Sequence, residues 1–238
     1  YAVPLPAREC DPDYTEAGFF GLCRIYFIQQ RIEMIRKDKT PQQDTLVCDF
    51  TGGAVAHRFR FGGGRGQALA RAVGMKGGHT PKIVDATAGL GRDAFLLASL
   101  GAEVTLIERS PVMHGLLQAG MQRASDAGGD VAGVIARMTL MHGDARDLLP
   151  TLLPAVVLVD PMHPERTKSA LVKNEMRLLR KIVGADEDSL DLMKIALATA
   201  SERVVLKWPL RADPMQGLVR FSHQILGKST RYDVFMVA

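Results

Sequence analysis

The pattern of apolar and polar positions along the chain changes near residue 80. Before that point, residues 22–37 are rich in β-branched and aromatic side chains with partial alternation, and the runs 45–50 and 54–61 have the same character. Because no long helical period separates these runs, the pattern predicts an antiparallel meander. A short helix is predicted over 67–73, and the GGHTP segment at 77–81 is typical of a domain boundary.

From residue 82 onward, short apolar runs alternate with segments of helical period. Strands are predicted over 83–87, 103–108, 138–142, 155–160, 204–207, 219–226 and 232–237. Helices are predicted over 92–100, from 111, over 169–183 and over 189–201. This alternation is typical of a parallel sheet covered on both faces. We therefore expect a β-rich extension with a glycine- and arginine-containing segment (residues 1–80) and an α/β domain (residues 81–238).

Composition narrows the class of protein. Hydrophobic residues make up 47% of the 238 positions and charged residues 24%, which excludes a disordered chain. The three cysteines show no C-x-x-C spacing, so neither a disulfide framework nor a zinc knuckle is expected. No apolar run approaches the ~18 residues of a membrane span, and the first residues lack the zones of a secretory signal. We expect a cytoplasmic protein.

The strongest local signal is a strand that ends in an acid, turns through two glycines and opens a helix, in the sequence VDATAGLGRD over residues 84–93. Gly89 and Gly91 allow a tight turn and a close approach of the backbone to a ligand. Glu108 ends the next predicted strand, where the diol of a ribose needs a hydrogen-bond acceptor. The combination indicates a cofactor that contains a nucleoside.

The same turn also fits the dinucleotide fingerprint G-x-G-x-x-A. In a dinucleotide site the pyrophosphate takes the helix N-terminus, but Asp93 places a carboxylate there. That carboxylate suits a ligand with an ammonium group, such as the methionine part of S-adenosylmethionine. An alternative is that Asp93 only caps the helix and complements its dipole; its combination with Glu108 favours cofactor binding.

A second signal lies at the end of the apolar strand predicted over 155–160. Pro161 cannot continue the strand, and it biases Asp160 toward an extended backbone. The side chain of Asp160 can then point into the crevice at the carboxyl ends of the strands, where ligands bind in open α/β sheets. An acid at that place, next to a methyl donor, can accept hydrogen bonds from an amine substrate.

Together these motifs resemble the ribosomal RNA small subunit methyltransferase J family. The resemblance rests on DATAGLGRDAF at 85–95, Glu108-Arg109, DPM at 160–162, KSALVK at 168–173, GGAVAHR at 52–58 and FGGGRG at 61–66. It implies a doubly wound Rossmann-like methyltransferase sheet of seven strands, the last hairpin contributing an antiparallel strand. It also implies methyl transfer from S-adenosyl-L-methionine to the N2 amine of a guanosine in small-subunit (16S) ribosomal RNA.

The site residues follow from the turn and from the resemblance. The expected cofactor-binding residues are Asp85, Gly89, Gly91, Arg92, Asp93, Glu108, Arg109 and Asp160, with Asp144 and Ala145 beside the adenine by position. The expected catalytic residues are Asp160, Pro161 and His163. The family usually has phenylalanine after D-P-M, and the imidazole of His163 can still stack on a flipped base.

Two basic clusters flank this candidate site. Residues 51–83 contain no acid but six lysines and arginines, and a second cluster follows the D-P-M loop. Phosphate binding is the functional interpretation, and a solvated surface is the alternative. The expected RNA contacts are Arg58, Arg60, Arg65, Lys168 and Lys173. The expected partner is small-subunit RNA or the 30S particle, and no membrane partner is expected. No metal is expected either, because the histidines lack the spacing of metal ligands.

Two other function classes stay open at this point. One is an NAD-dependent oxidoreductase, which the G-x-G-x-x-A match supports and Asp93 opposes. The other is a non-catalytic RNA-binding module with a degenerate cofactor fold.

Overall fold

The computed structural model describes residues 14–20, 23–28, 31–36, 44–53, 55, 57, 59, 62–162 and 188–237, with side chains from residue 46 onward. The helix predicted over 169–183 lies outside the described residues.

The first strands form an antiparallel meander, as predicted. The strands β1 (Tyr14–Phe20), β2 (Cys23–Ile28), β3 (Arg31–Arg36) and β4 (Asp44–Leu46) pair in the order β1-β2-β3-β4. The predicted run 45–50 thus contributes only the end of β4, and a β-bulge lies between Glu16 and Gly18.

The strand predicted over 54–61 is wrong. Gly53, Val55, His57 and Phe59 have helical backbone. Val55 and Phe59 lie four residues apart, one helical turn, and both pack against the main core, whereas His57 is exposed. The apolar positions in this run therefore follow the helical period rather than the period of a strand.

The second sheet has seven strands in the order β10-β11-β9-β8-β5-β6-β7. Its strands are β5 (Ile83–Asp85), β6 (Val104–Glu108), β7 (Met138–His142), β8 (Val156–Val159), β9 (Arg203–Pro209), β10 (His223–Leu226) and β11 (Thr230–Met236). The strands from β9 to β7 are parallel, and β11 runs antiparallel to both β9 and β10. This confirms the predicted Rossmann-like α/β sheet with a closing antiparallel hairpin.

The described helices are α1 (Ala68–Ala72), α2 (Arg92–Ser99), α3 (Pro111–Asp126), α4 (Gly129–Ile135), α5 (Ala145–Leu152) and α6 (Ser189–Thr199), with a 3₁₀ turn at Gly64–Gly66. Sequence reasoning missed α4 and α5, because glycines in α4 and Pro150 inside α5 are typical of helix ends. Val134, Ile135 and Leu149 are nevertheless buried, so tertiary packing stabilises both helices.

Alternate residues of the central strands pack into two separate hydrophobic layers. In β8, Val156 and Leu158 join the layer on one face of the sheet, and Val157 and Val159 join the layer on the other. Because both faces are covered, all four side chains are buried and the strand is apolar throughout. Polar side chains stand at the carboxyl ends of the central strands β5, β6 and β8.

Part of the chain before residue 80 belongs to the first of these layers. Leu46, Cys48 and Phe50 are buried there, and the rings of Phe50 and Phe95 stack with centroids 5.0 Å apart. The division of the chain at residue 80 stays a prediction.

Candidate active site

Polar side chains gather where the parallel strands end. Asp85 ends β5, Glu108 ends β6, and Asp160 follows β8. Val159 of β8 pairs with Leu206 of β9, so the next residues, Asp160 and Lys207, come level with each other. This edge is the ligand-binding edge of open α/β sheets.

Lys207 bridges two of the predicted site residues. Its Nζ lies 2.7 Å from Oδ2 of Asp93 and 2.6 Å from Oδ2 of Asp160. Burial opposes the charge of Lys207, but the carboxylates of Asp160 and Asp93 outweigh it and hold the pKa of the lysine well above its usual value. We call Asp85, Asp93, Asp160 and Lys207 the carboxylate cluster.

Asp85 is the last residue of β5, directly before the glycine turn, and is almost completely buried. Its Oδ1 accepts a hydrogen bond from the backbone N–H of Thr87 at 3.2 Å. Burial and the neighbouring charge of Asp93 raise the pKa of Asp85 to about 7, although the Thr87 hydrogen bond and Lys207 oppose the shift. The carboxyl group of Asp85 therefore takes up or releases a proton near neutral pH.

This raised pKa makes folding stability depend on pH. The folded protein holds a proton on Asp85 that the unfolded chain, with a pKa of 3.8, releases. The contribution of Asp85 to the free energy of unfolding is therefore fully present below pH 3.8 and is lost as the pH rises through about 7.

Asp85→Asn should remove this pH dependence, because asparagine cannot ionise and can still accept from Thr87. The free energy of unfolding of D85N, relative to that of wild type, should rise by on the order of 2 kcal/mol as the pH increases from 5 to 8. Urea unfolding at each pH measures this difference. Asp130→Asn, at an exposed position of α4, is the matched control. A difference between D85N and wild type that stays constant over this range would contradict the prediction.

The two glycines of the turn have positive φ angles of 53° at Gly89 and 66° at Gly91. A Cβ on Gly91 would lie 2.8 Å from Cδ1 of Leu117, so close packing as well as conformation requires glycine there. A Cβ on Gly89 would meet only the carbonyl oxygen of Thr87, at 3.9 Å. The open space beside Gly89 leaves room for a ligand against the backbone.

Glu108 connects the glycine turn to the loop after β6. Its Oε2 accepts from the N–H of Gly89 at 3.0 Å, and its Oε1 accepts from the N–H of Ser110 at 2.8 Å. Glu108 as a whole residue is 5% exposed. The carboxylate thus fixes both loops around the position that the sequence predicts for a ribose.

Thr87 stands where the general methyltransferase turn often has a glycine, and here its hydroxyl has a structural function. Its Oγ1 accepts the backbone N–H of Asp160 at 2.7 Å. The loops after β5 and β8 are therefore tied together, and Asp160 is held through its backbone as well as its carboxylate.

Asp144, which is predicted beside an adenine, belongs to an ion-pair network with Arg146, Asp188 and Arg109. Asp144 caps α5 and accepts from the backbone N–H of Arg146 at 2.9 Å; the side-chain hydrogen bonds from Arg146 lower the pKa of Asp144 against the opposing effect of burial. Asp188, just before α6, lies 2.7 Å from Arg109 and 3.1 Å from Arg146. Ala145 is buried at the first position of α5. Sequence analysis missed Arg146 and Asp188.

Other predicted residues are distributed differently. Arg92 is exposed at the first position of α2, and Pro161 is buried directly after Asp160. Arg65 donates from Nη1 to the carbonyl of His79 and from Nη2 to Thr80 Oγ1, at 3.1 and 2.6 Å. The guanidinium therefore stabilises the turn around it, and its contact with RNA stays a prediction. The residues that lie outside the described part of the chain are Arg58, Arg60, His163, Lys168 and Lys173.

Two absences concern only the part of the chain that the structure describes. None of its helices is long and apolar enough to cross a membrane. Within the same residues, no group of three or more histidine, cysteine, aspartate or glutamate side chains is arranged to hold a metal ion.

Comparisons with known proteins agree on one family. A family model described as "Putative SAM-dependent methyltransferase" matches residues 22–237. Ribosomal RNA small subunit methyltransferase J from Agrobacterium fabrum is 66% identical over 196 residues, which are 82% of this chain and 94% of the relative. The protein of the same name from Shewanella amazonensis is 50% identical over 212 residues, 88% of this chain and 85% of the relative.

A solved structure supports the same assignment. The SAM-dependent methyltransferase from Neisseria gonorrhoeae is 32% identical and superposes with a TM-score of 0.67, covering 88% of this chain and 80% of that chain. These matches confirm the resemblance, the fold class and the cofactor that the motifs predict, and they support neither an oxidoreductase nor a non-catalytic module. The chain belongs to the ribosomal RNA small subunit methyltransferase J family and is an S-adenosylmethionine-dependent methyltransferase.

Proposed function

We propose that this protein transfers the methyl group of S-adenosylmethionine to the N2 amine of a guanosine in small-subunit ribosomal RNA. The observation that carries the proposal is the bridge through Lys207, because it brings Asp160, the predicted amine acceptor, beside Asp93, the predicted cofactor residue. The names of the relatives support the class of RNA.

The charge of the site fits S-adenosylmethionine. With Asp85 protonated, the carboxylates of Asp93 and Asp160 still exceed the single ammonium of Lys207, and the excess negative charge suits a ligand with an ammonium and a sulfonium group. Each carboxylate oxygen of Glu108 has two lone pairs, so the backbone contacts it makes leave acceptor capacity for ribose hydroxyls. The bound cofactor supplies an electrophilic methyl carbon.

Asp160 and Pro161 act on the substrate amine. The lone pair of the guanine N2 amine is delocalised into the ring, which makes this nitrogen a weak nucleophile. The carboxylate of Asp160 and the carbonyl of Pro161 accept its two N–H groups and aim the lone pair at the methyl carbon. The same carboxylate is placed to receive the proton that the amine loses after methylation. In this proposal His163 stacks on the flipped base.

The RNA backbone is held by basic residues from two stretches of the sequence, the glycine segment (residues 52–66) and the segment after the D-P-M loop (residues 168–173). Guanine must leave its stack to reach the methyl donor, and a grip on the flanking phosphates stabilises that conformation. The partner is small-subunit RNA or the 30S particle, in the cytoplasm.

A double replacement in the glycine segment tests this grip. Arg58→Ala with Arg60→Ala should weaken RNA binding and reduce the slope of log affinity against log salt by about one to two units, because fewer counterions are released. The affinity for S-adenosylmethionine should be unchanged. Arg220→Ala with Lys228→Ala, at exposed positions before and after β10, is the matched control. If the salt slope keeps its wild-type value, the glycine segment is a solvated surface.

The function itself is tested with S-adenosylmethionine labelled on its methyl group. The purified protein should transfer label to small-subunit RNA, offered either naked or as the 30S particle, and should leave large-subunit RNA unlabelled. Label in neither small-subunit preparation would reject the proposed substrate.

A further inference from the structure

Lys207 joins the cofactor side of the site, at Asp93, to the substrate side, at Asp160, through two ion pairs. Asp93 lies in the first turn of α2, on the loop that follows β5, and Asp160 lies on the loop that follows β8. One ammonium contacts both carboxylates within 2.7 Å. Any change in Lys207 therefore acts on both halves at once.

The bridge is partly shielded from water. The side chains of Lys207 and Asp93 are 24% and 14% exposed, so their ion pair is less screened than a surface pair. Asp160 is 40% exposed, which leaves part of its carboxylate open to a substrate while one oxygen is held by the lysine. Asp85 lies close enough for its charge, when the carboxyl group is ionised, to add to the charges of Asp93 and Asp160.

Without the lysine, the carboxylates of Asp93 and Asp160 would repel each other. Their Oδ2 atoms both lie within hydrogen-bond distance of one nitrogen, and like charges at such separations move apart or take up protons. The backbone of Asp160 would still be tied to Thr87, but its carboxylate would lose its ion pair with Lys207. A displacement of about 1 Å in such a group costs about 10²-fold in rate.

We propose that Lys207 is a positioning residue for methyl transfer, whose ammonium sets the Asp160 carboxylate in register with the cofactor-side carboxylate of Asp93. The inference rests on the proposed function, since it assigns Asp160 to the target amine. In this role Lys207 contacts neither the amine nor the methyl carbon.

This role separates catalysis from cofactor binding. Removal of the ammonium misdirects Asp160 and lowers kcat, yet it also removes the positive charge that offsets Asp93, so the site attracts a cationic ligand at least as strongly. Cofactor affinity should therefore be kept or increased while turnover falls. A residue that only stabilised the fold would weaken both.

The experiment compares K207M, K207R and the control K194M with wild type. Lys194 lies on α6, is 57% exposed, and pairs only weakly with Asp191 at 3.5 Å. For each protein we would measure kcat and KM with small-subunit RNA, the Kd of S-adenosylmethionine by calorimetry, and the melting temperature. K207M should lose about 10²-fold in kcat with an unchanged or lower Kd, K207R should recover part of the rate, and K194M should match wild type.

Three results would overturn the inference: a K207M kcat within about threefold of wild type, a weaker cofactor affinity in folded K207M, or a K207R rate no higher than that of K207M. Failure of the proposed function would look different, because wild type itself would transfer no methyl group to small-subunit RNA. In that case a weaker affinity of folded K207M for S-adenosylmethionine would still overturn the inference.

Discussion

Asp160→Ala is expected to lower kcat for methyl transfer by about 10²–10³-fold, the range for losing one preorganised electrostatic contact in an active site. The variant removes the acceptor that orients the amine and leaves Lys207 with Asp93 alone. RNA affinity should change little, since phosphate contacts supply most of it.

Two further variants sharpen this test. Asp160→Asn keeps an oxygen that can accept from the amine but loses the charge, so its rate should lie between those of wild type and D160A. Asp130→Ala, on the exposed surface of α4, should behave as wild type. A folded D160A protein with a wild-type kcat would mean that another group orients the amine.

Glu108→Ala should weaken S-adenosylmethionine binding by about 1.5–3 kcal/mol, the range for hydrogen bonds to a charged group. That loss corresponds to an increase in Kd of about 10- to 150-fold. The effect has two sources, because Glu108 is proposed to hold the ribose and also fixes the N–H groups of Gly89 and Ser110.

Glu108→Gln helps to separate these sources. Glutamine keeps one acceptor oxygen for a backbone N–H but carries no charge, so E108Q should bind more tightly than E108A and more weakly than wild type. Glu103→Ala is the control, since Glu103 is 68% exposed and pairs with Lys82 across 3.4 Å. Calorimetry gives the Kd values, and an unchanged Kd in folded E108A would remove the ribose assignment.

The parts of the site that sequence reasoning found are encoded locally. Asp85, Gly89 and Gly91 occupy one strand, one turn and one helix start, and Asp160 is marked by the proline after it. Each signal needs only a few neighbouring residues and the rule that parallel strands end at a common edge. The same rule led to Glu108 at the end of β6.

The parts that sequence reasoning missed depend on the order of the strands. Lys207 reaches Asp160 because β9 lies beside β8, and a lysine at the end of an apolar strand gives no hint of that neighbour. Arg109 and Asp188 are 79 positions apart in the chain, and no local pattern joins them. Arg65 looked like a phosphate contact because glycines surround it, yet it also donates to the backbone of Leu100 at the end of α2.

The chemical identity of the methylated nucleoside distinguishes methyl transfer to the exocyclic amine of guanine from transfer to any other atom. Small-subunit RNA from the transfer reaction would be digested to nucleosides and analysed by mass spectrometry against N2-methylguanosine and its ring-methylated isomers. The label is expected in N2-methylguanosine, and D160A should lower the yield of that nucleoside. Label in a ring-methylated guanosine, or in another base, would contradict the assignment of Asp160 and Pro161 to the exocyclic amine.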